Sequence, residues 1–326
     1  MKLQVDLKEM KKWLVIWFCL MSLFAKAQLI ACRDVVPDNY DFWLYLPEDY
    51  ATAAEKKPVV LFLHGRSLCG DDLELVRQYG CINALMRGRE IDAIVVAPQS
   101  KTAWKPDKLM MLYDWLKANY RVDTNRFYVL GMSMGGFGTL DFVATYPDQV
   151  AAAMAMCGGS TMKSLCGLTE VPLWIIHGKA DMAVPVNRSE RVVDSMCQCG
   201  DTSRLLFDKL DKVDHTALAR VFYLRQTYEW LFSHVLTDSL RPVNKDYSVS
   251  KALLYTAYDD LPNKSDIKVV DLQSYKNSKK VYYVVKKGDT LHSIAVENNT
   301  TVSILCKLNK CKKDTKLWPG RKIRVK

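Results

Sequence analysis

Val129-Leu130-Gly131-Met132-Ser133-Met134-Gly135-Gly136 joins an apolar run to a stretch with helical spacing. The pattern is G-x-S-x-G, set between a strand and a helix. Glycines flank the serine because the turn is so tight that a side chain there would collide. Such a turn lifts the Ser133 hydroxyl above the sheet, at the N-terminus of the next helix. Free N–H groups and the helix dipole there favour a developing negative charge. The plain alternative is a glycine-rich turn without chemical importance, and the strand–turn–helix context weighs against it.

The flanking sequence supplies the frame. Residues 40–46 alternate aromatic and polar residues and end at Pro47, as a strand does. The run 58–63 is continuously apolar, the signature of a strand buried on both faces. Segments 91–97, 126–130, 151–156, 171–176 and 204–210 repeat these patterns, and helical segments are expected near 71–87, 107–119, 134–146, 187–197 and 216–235. Strand–helix alternation of this kind predicts an α/β fold, a mostly parallel sheet with helices on both faces. Function in such sheets sits at the C-terminal ends of the strands.

A serine hydroxyl needs a base. The chain has five histidines. His292 lies in a separate C-terminal module. His64 and His177 each follow a buried strand and precede glycine, where histidines usually hold a loop. His234 sits late in an amphipathic helix. His215, in the loop between segment 204–210 and the last helix of the body, remains as the candidate base. Asp181, just beyond segment 171–176, is the candidate acid that holds the imidazole in the right tautomer. Its plain reading is a turn or capping aspartate. Asp214 is the runner-up, but it adjoins His215 and would struggle to face its ring. Two N–H donors for an oxyanion are assigned by position to Met134, after the nucleophile, and to Arg66, after segment 58–63. Trp104, in the loop after segment 91–97, would cover an acyl or sugar group or would simply anchor the loop.

These features together resemble the α/β-hydrolase superfamily across about residues 32–236. They are the His64-Gly65 loop, the Gly131–Gly135 elbow, the H-G-x-x-D-x-x-V-P stretch at 177–185 and His215. The resemblance is closest to secreted bacterial esterases of the feruloyl-esterase-like, phospholipase/carboxylesterase and predicted-peptidase groups. It implies a Ser133–His215–Asp181 triad and ester hydrolysis, with peptide hydrolysis as the same-class alternative. No long insertion separates the strands, so an open site is expected. One departure is that Asp214 stands where relatives often carry glycine before the base.

Beyond a polar stretch at 237–280, read as a linker with a possible helix around 249–257, the sequence changes character. Tyr282-Tyr283-Val284-Val285 leads into Gly288-Asp289-Thr290-Leu291. A V-x-x-L-x-x-L-N-like block follows near 302–309, and Leu317-Trp318-Pro319-Gly320 closes into Ile323 and Val325. This resembles a LysM module over about 282–326. The resemblance implies a βααβ fold that binds peptidoglycan or another GlcNAc-containing glycan, with contacts around Gly288, Asp289 and Thr290 and from Asn309 to Trp318. Asp289 is also placed to cap a helix beginning near Thr290. The domains expected are therefore a signal peptide at 1–27, a catalytic domain at 28–236, a linker at 237–280 and a LysM domain at 281–326.

Composition sets the outer limits. Of 326 residues, 49% are hydrophobic and 25% charged, which excludes a disordered, collagenous or polytopic membrane protein. The net charge of +10 is concentrated in the last 48 residues. A small basic module on a near-neutral body fits this distribution, and a nucleic-acid partner does not. Lys11-Lys12, a twelve-residue apolar core and Ala25-Lys26-Ala27 read as a signal peptide cleaved after Ala27. The core is short of the roughly 20 residues a membrane span needs. Leu29-Ile30-Ala31-Cys32 offers the alternative of a lipoprotein anchored at Cys32. Every reading places the protein outside the cytoplasm, in the periplasm, the envelope or the medium. Nine cysteines remain after cleavage, with Cys69–Cys81, Cys157–Cys166 and Cys306–Cys311 as possible bridges by spacing. No metal site and no cofactor are expected. From a different class, the body could be an inactive hydrolase serving as a glycan-binding scaffold.

Overall fold

In the computed structural model, residues 26–238, 241–271, 281–298 and 300–325 are described. The expected signal peptide lies outside them up to residue 25, as does the end of the expected linker, 272–280. Strand β3 (Lys57–Leu63) is buried along its whole length. Val60 and Phe62 point into one core and Val59, Leu61 and Leu63 into the other, the period-two alternation of a strand covered on both faces. Each such side chain contributes roughly 1.5–3 kcal/mol by leaving water.

Around β3 run β4 (Ile94–Gln99), β5 (Val122–Met132), β6 (Ala152–Met156), β7 (Leu173–Gly178) and β8 (Leu205–Leu210), all parallel. Strand β2 (Asp41–Leu46) pairs antiparallel with β4. The sheet order among the described residues is β8-β7-β6-β5-β3-β4-β2-β1-β9. All seven strands expected from the sequence are present. Two more, β1 (Gln28–Cys32) and β9 (Lys268–Asp271), extend the edge, antiparallel to β2 and parallel to β1 respectively. Arg33 closes that edge with an ion pair to Asp271 at 2.7 Å.

The helices that matter for the site are α2 (Pro106–Asn119) and α3 (Met134–Thr145), with α4 (Asn187–Cys199) beyond them. Two expected helices are broken. The first, at 71–87, becomes a 3-10 turn at Leu73–Arg77 and the short α1 (Cys81–Met86). Gly80 separates them at φ +86°, a backbone that no continuing helix tolerates. The second, at 216–235, divides at Leu224, whose extended backbone (ψ 134°) ends the 3-10 run Thr216–Tyr223 before α5 (Arg225–Phe232). The stretch read as a linker also differs. Val243, Val249, Leu254, Ala257 and Leu261 are buried in the core of the body, and α6 (Lys251–Tyr255) supplies the expected local helix.

Spacing misassigned the cysteines. The disulfide joins Cys166 to Cys199, with Cα atoms 5.2 Å apart. Cys69, Cys81, Cys157, Cys306 and Cys311 are free thiols. Cys157 closes β6 in the core, while the end of α4 brings Cys199 over Cys166. A contact across 33 positions leaves no mark on local spacing.

The C-terminal unit is βααβ: β10 (Tyr282–Val284), α7 (Leu291–Glu297), α8 (Val302–Asn309) and β11 (Lys322–Arg324). Val285, Ile294, Leu305 and Ile323 form its own small core. Thr290, rather than Asp289, caps α7, in a reciprocal box with Ser293. Asp289 closes the preceding turn by accepting from the Lys286 N–H at 2.7 Å. The unit rests on the body through His292. Its ring lies 6.3 Å from Tyr50 and 6.2 Å from Tyr120, and Nε2 is 3.3 Å from Arg121 Nη1.

Two buried histidines bear on stability. Burial depresses His64 and His234 to about 4, from an ordinary value of 6.5. The unfolded chain therefore binds more protons than the fold below pH 6.5. Stability is full above that value and is lost as pH falls toward 4, by on the order of 3 kcal/mol per histidine. The urea midpoint is predicted to drop steadily from pH 7 to 4.5, with a shallower slope in His64→Gln. A midpoint unchanged over that range would refute this account.

Candidate active site

Ser133 stands between β5 and α3 at φ 58° and ψ −122°, a backbone few residues other than glycine adopt. Two contacts hold it there. Its N–H donates to Met156 O at 2.9 Å, tying the turn to β6. The first turn of α3 also lies directly on the end of β3: a Cβ at Gly135 would stand 1.8 Å from Leu63 O, and one at Gly131 2.4 Å from Gly135 O. Only glycine permits that approach, as the sequence pattern requires.

The amide of Met134 opens α3, and that of Arg66 opens the 3-10 turn Arg66–Leu68, so neither has an acceptor within its own helix. The Arg66 loop reaches Ser133 closely, since a Cβ at Gly65 would lie 3.4 Å from Ser133 Cβ. The Gly65 N–H donates to Tyr79 Oη at 2.8 Å. His64 anchors the same loop. Its Nε2 accepts from the Ser100 N–H (3.1 Å), so Nδ1 carries the proton and donates to Gly65 O (2.7 Å).

Asp181 and His215 meet. Asp181 Oδ2 accepts from His215 Nδ1 at 2.7 Å, and Oδ1 accepts from the N–H groups of Ala183 (2.9 Å) and Val184 (2.8 Å). The carboxylate side chain is fully buried, whereas the imidazole is 21% exposed. The hydrogen bond at Nδ1 leaves Nε2 as the basic nitrogen. Ser133 and His215 line one cavity without a direct hydrogen bond between them. Asp214 instead caps the following 3-10 turn through Thr216 Oγ1 and the Ala217 N–H. His177 is a loop clamp, with Nε2 2.8 Å from Val184 O and Nδ1 2.7 Å from Ser189 Oγ.

The cavity measures about 1090 Å³. Trp104, Phe137 and Met134 give it apolar walls, and Arg66 and Lys101 stand among its lining residues. Trp104 anchors its loop, with Nε1–H donating to His64 O at 3.1 Å, and lines the cavity. Sequence reasoning missed three residues. Tyr79 fixes the Gly65 loop. Asp141, buried on α3, accepts from Ser160 Oγ (2.5 Å), Thr161 N (2.9 Å) and Thr161 Oγ1 (2.6 Å), which pins the loop after β6 against the cavity. Cys157 brings its Sγ within 4.8 Å of ligand atoms of Asp181 and His215. Burial and the Asp181 charge push this thiol far up, so it stays protonated and is a poor metal ligand. No signal in the sequence marks these three.

Comparison with known proteins agrees with this architecture. Residues 283–326 match the LysM domain. Over 140 residues the chain is 29% identical to Esterase Rv1288 of Mycobacterium tuberculosis, covering 38% of this chain and 30% of that protein. Over 51 residues it is 43% identical to poly(3-hydroxyalkanoate) depolymerase C of Paucimonas lemoignei, covering 16% of this chain and 12% of that one. The chain thus spans less than a third of the length of these curated relatives. Among solved structures, a thermostable esterase superposes with a TM-score of 0.54 at 23% identity, over 64% of this chain and 63% of the other, a likeness of fold. Residues 34–229, more than half of the chain, match the family described as putative esterase, and the chain belongs to that family, with a LysM domain at its C-terminus.

Proposed function

We propose that the protein is an exported serine esterase moored to a GlcNAc-containing glycan. The observation that carries the catalytic reading is the 2.7 Å bond from His215 Nδ1 to buried Asp181, in the cavity that Ser133 also lines. In this mechanism Ser133 Oγ attacks the ester carbonyl carbon while His215 Nε2 takes its proton. Asp181 keeps the proton on Nδ1 and stabilises the imidazolium. The carbonyl electrons move to the oxygen, which the Met134 and Arg66 N–H groups receive. Collapse breaks the ester bond, and Nε2–H protonates the departing alcohol. Water, deprotonated by the same nitrogen, then attacks the acyl-serine; the acyl–Oγ bond breaks as Nε2–H returns the proton to Ser133 Oγ, and the acid leaves. The Ser133–His215 hydrogen bond forms when substrate closes the site, as catalytic contacts often do.

The apolar walls suit an acyl group, and the 1090 Å³ volume suits a substrate larger than an acetate ester. The substrate class this favours is an acyl or hydroxycinnamoyl ester on a wall or dietary polysaccharide. Export rests on the N-terminal segment read from the sequence. Cleavage after Ala27 would leave Gln28 to open β1 directly. Lipidation at Cys32 would instead remove Gln28–Ala31, the part of β1 that pairs with β2 and β9, so the intact edge of the sheet favours cleavage after Ala27. The βααβ unit, with net charge concentrated at this end of the chain, is the mooring.

Three outcomes are predicted. A fluorophosphonate probe labels the mature protein and fails to label Ser133→Ala or His215→Ala; labelling that survives in Ser133→Ala would remove the nucleophile assignment. Asp181→Asn folds normally but loses about 10³–10⁴ in kcat on a nitrophenyl acyl ester, because the imidazole takes the wrong tautomer; a loss below tenfold would contradict the orienting role. The full-length mature protein co-sediments with insoluble peptidoglycan, and its retention in the supernatant would refute the mooring.

A further inference from the structure

Two cations, Arg66 and Lys101, stand among the residues that line the catalytic cavity. They differ in what they already hold. Lys101 pairs with Asp71 at the surface, so the two together bring little net charge. The exposed Arg66 side chain has no hydrogen bond, ion pair or aromatic face as partner among the described residues.

The nearby carboxylates are spent elsewhere. Asp141, the acidic residue among those lining the cavity, accepts from Ser160 Oγ and the Thr161 N–H at Oδ1 and from Thr161 Oγ1 at Oδ2. Asp181 is buried and gives its oxygens to His215 and to two backbone N–H groups. The cavity therefore keeps one uncompensated positive charge. Its apolar walls of Trp104, Phe137 and Met134 focus the field of that charge into the cleft.

Arg66 is presented on a fixed support. The turn that carries it is closed by the Leu68 N–H on Gly65 O and the Cys69 N–H on Arg66 O, both at 3.2 Å. Tyr79 Oη and His64 Nδ1 hold Gly65. Leu68 O accepts from Gln99 Nε2 at 2.9 Å, and the Gly70 N–H donates to Ser100 O at 3.3 Å. The guanidinium thus extends from a backbone whose place beside Ser133 is set.

A guanidinium is a planar fork of N–H donors that matches the two oxygens of a carboxylate. One free guanidinium balances one carboxylate, whereas a phosphate monoester, at about −1.5 to −2 near pH 7, would remain partly uncompensated. We propose that Arg66 is a specificity residue that selects esters carrying a carboxylate, its side chain binding that group while its backbone N–H serves the oxyanion. This rests on the serine esterase reading and names the substrate class of the same site. The carboxylate belongs either to the acyl half or to the alcohol half of the ester, and the reaction leaves it unchanged.

The test compares three esters on the mature protein. Para-nitrophenyl hexanoate is neutral. Para-nitrophenyl monoadipate carries the carboxylate on the acyl half, and the hexanoate of a para-nitrophenol with a ring carboxylate carries it on the alcohol half. The readout is the ratio of kcat/KM for each charged ester to that for the neutral one, corrected for their alkaline reactivity. Any uniform change at the Arg66 N–H cancels in this ratio. The wild type is expected to favour one of the charged esters by about tenfold, and the favoured ester identifies the half that carries the carboxylate. The preference is expected to shrink as salt is raised. Arg66→Gln keeps the backbone N–H and is expected to lower that ratio about tenfold, and Arg66→Lys to restore part of it. No preference in the wild type, or a preference that survives in Arg66→Gln, would overturn the proposal and leave the esterase reading standing. Failure of the wild type to hydrolyse any of the three would overturn both. If Arg66→Gln fails to fold, the wild type decides, because a preference unmoved by salt would also overturn the proposal.

Discussion

Helix α3 starts in contact with the end of strand β3, and almost everything around Ser133 follows from that approach. A methyl group at Gly135 would overlap Leu63 O, and one at Gly131 would overlap Gly135 O. With hydrogen in both places the chain can reverse direction within one residue of the sheet. Ser133 then takes its strained backbone, and its N–H finds Met156 O. The strain is borne by packing on both sides of the sheet, where β3 feeds two cores at once. Strain that local sequence alone would not tolerate persists where the surrounding fold over-determines it.

The polar groups behind the turn form a set of fixed acceptors. Asp181 uses one oxygen for two backbone N–H groups and the other for His215, and its burial leaves no water to compete. The histidines near the site divide by environment rather than by local sequence. His64 and His177 both follow a strand and precede glycine, both have depressed proton affinity because they are buried, and both hold loops. His215 alone among these three is partly open to the cavity, and it makes the shorter contact to the buried carboxylate, 2.7 Å from Asp181 Oδ2 against 3.5 Å for His177 Nε2. Asp141 performs the corresponding task for the far wall, where one carboxylate gathers three donors from the loop after β6.

The two units are linked by more than the chain between them. His292 sits among Tyr50, Tyr120 and Arg121 of the body, and burial together with the nearby Arg121 charge lowers its affinity for a second proton. A neutral ring can pack against two tyrosines and a guanidinium, whereas an imidazolium there would face a like charge. The contact orients the LysM unit so that its α7 start opens toward the end of α2. Helix α2 runs from the loop of Trp104, at the catalytic cavity, to Asn119, beside the LysM unit.

The sequence by itself determined whatever is written in short-range pattern. The glycines around Ser133, the continuous apolar run of β3, the strand–helix alternation and the three blocks of the LysM motif are all local, and each forces one local geometry. Ser133, Asp181 and His215 were legible for the same reason, because each ends a recognisable strand or follows one. Tertiary structure decided the rest. The Cys166–Cys199 bridge, the pairing of β9 with β1, the clasp at Asp141 and the Tyr79 hydroxyl under Gly65 depend on residues far apart in the chain. The cavity between the units is the extreme case, since its walls come from residues about 170 positions apart. Local sequence fixes backbone conformation through sterics and hydrogen bonding over a few residues. Which distant surfaces then meet is set by the burial of whole faces, and that is settled only when the sheet and its helices have packed.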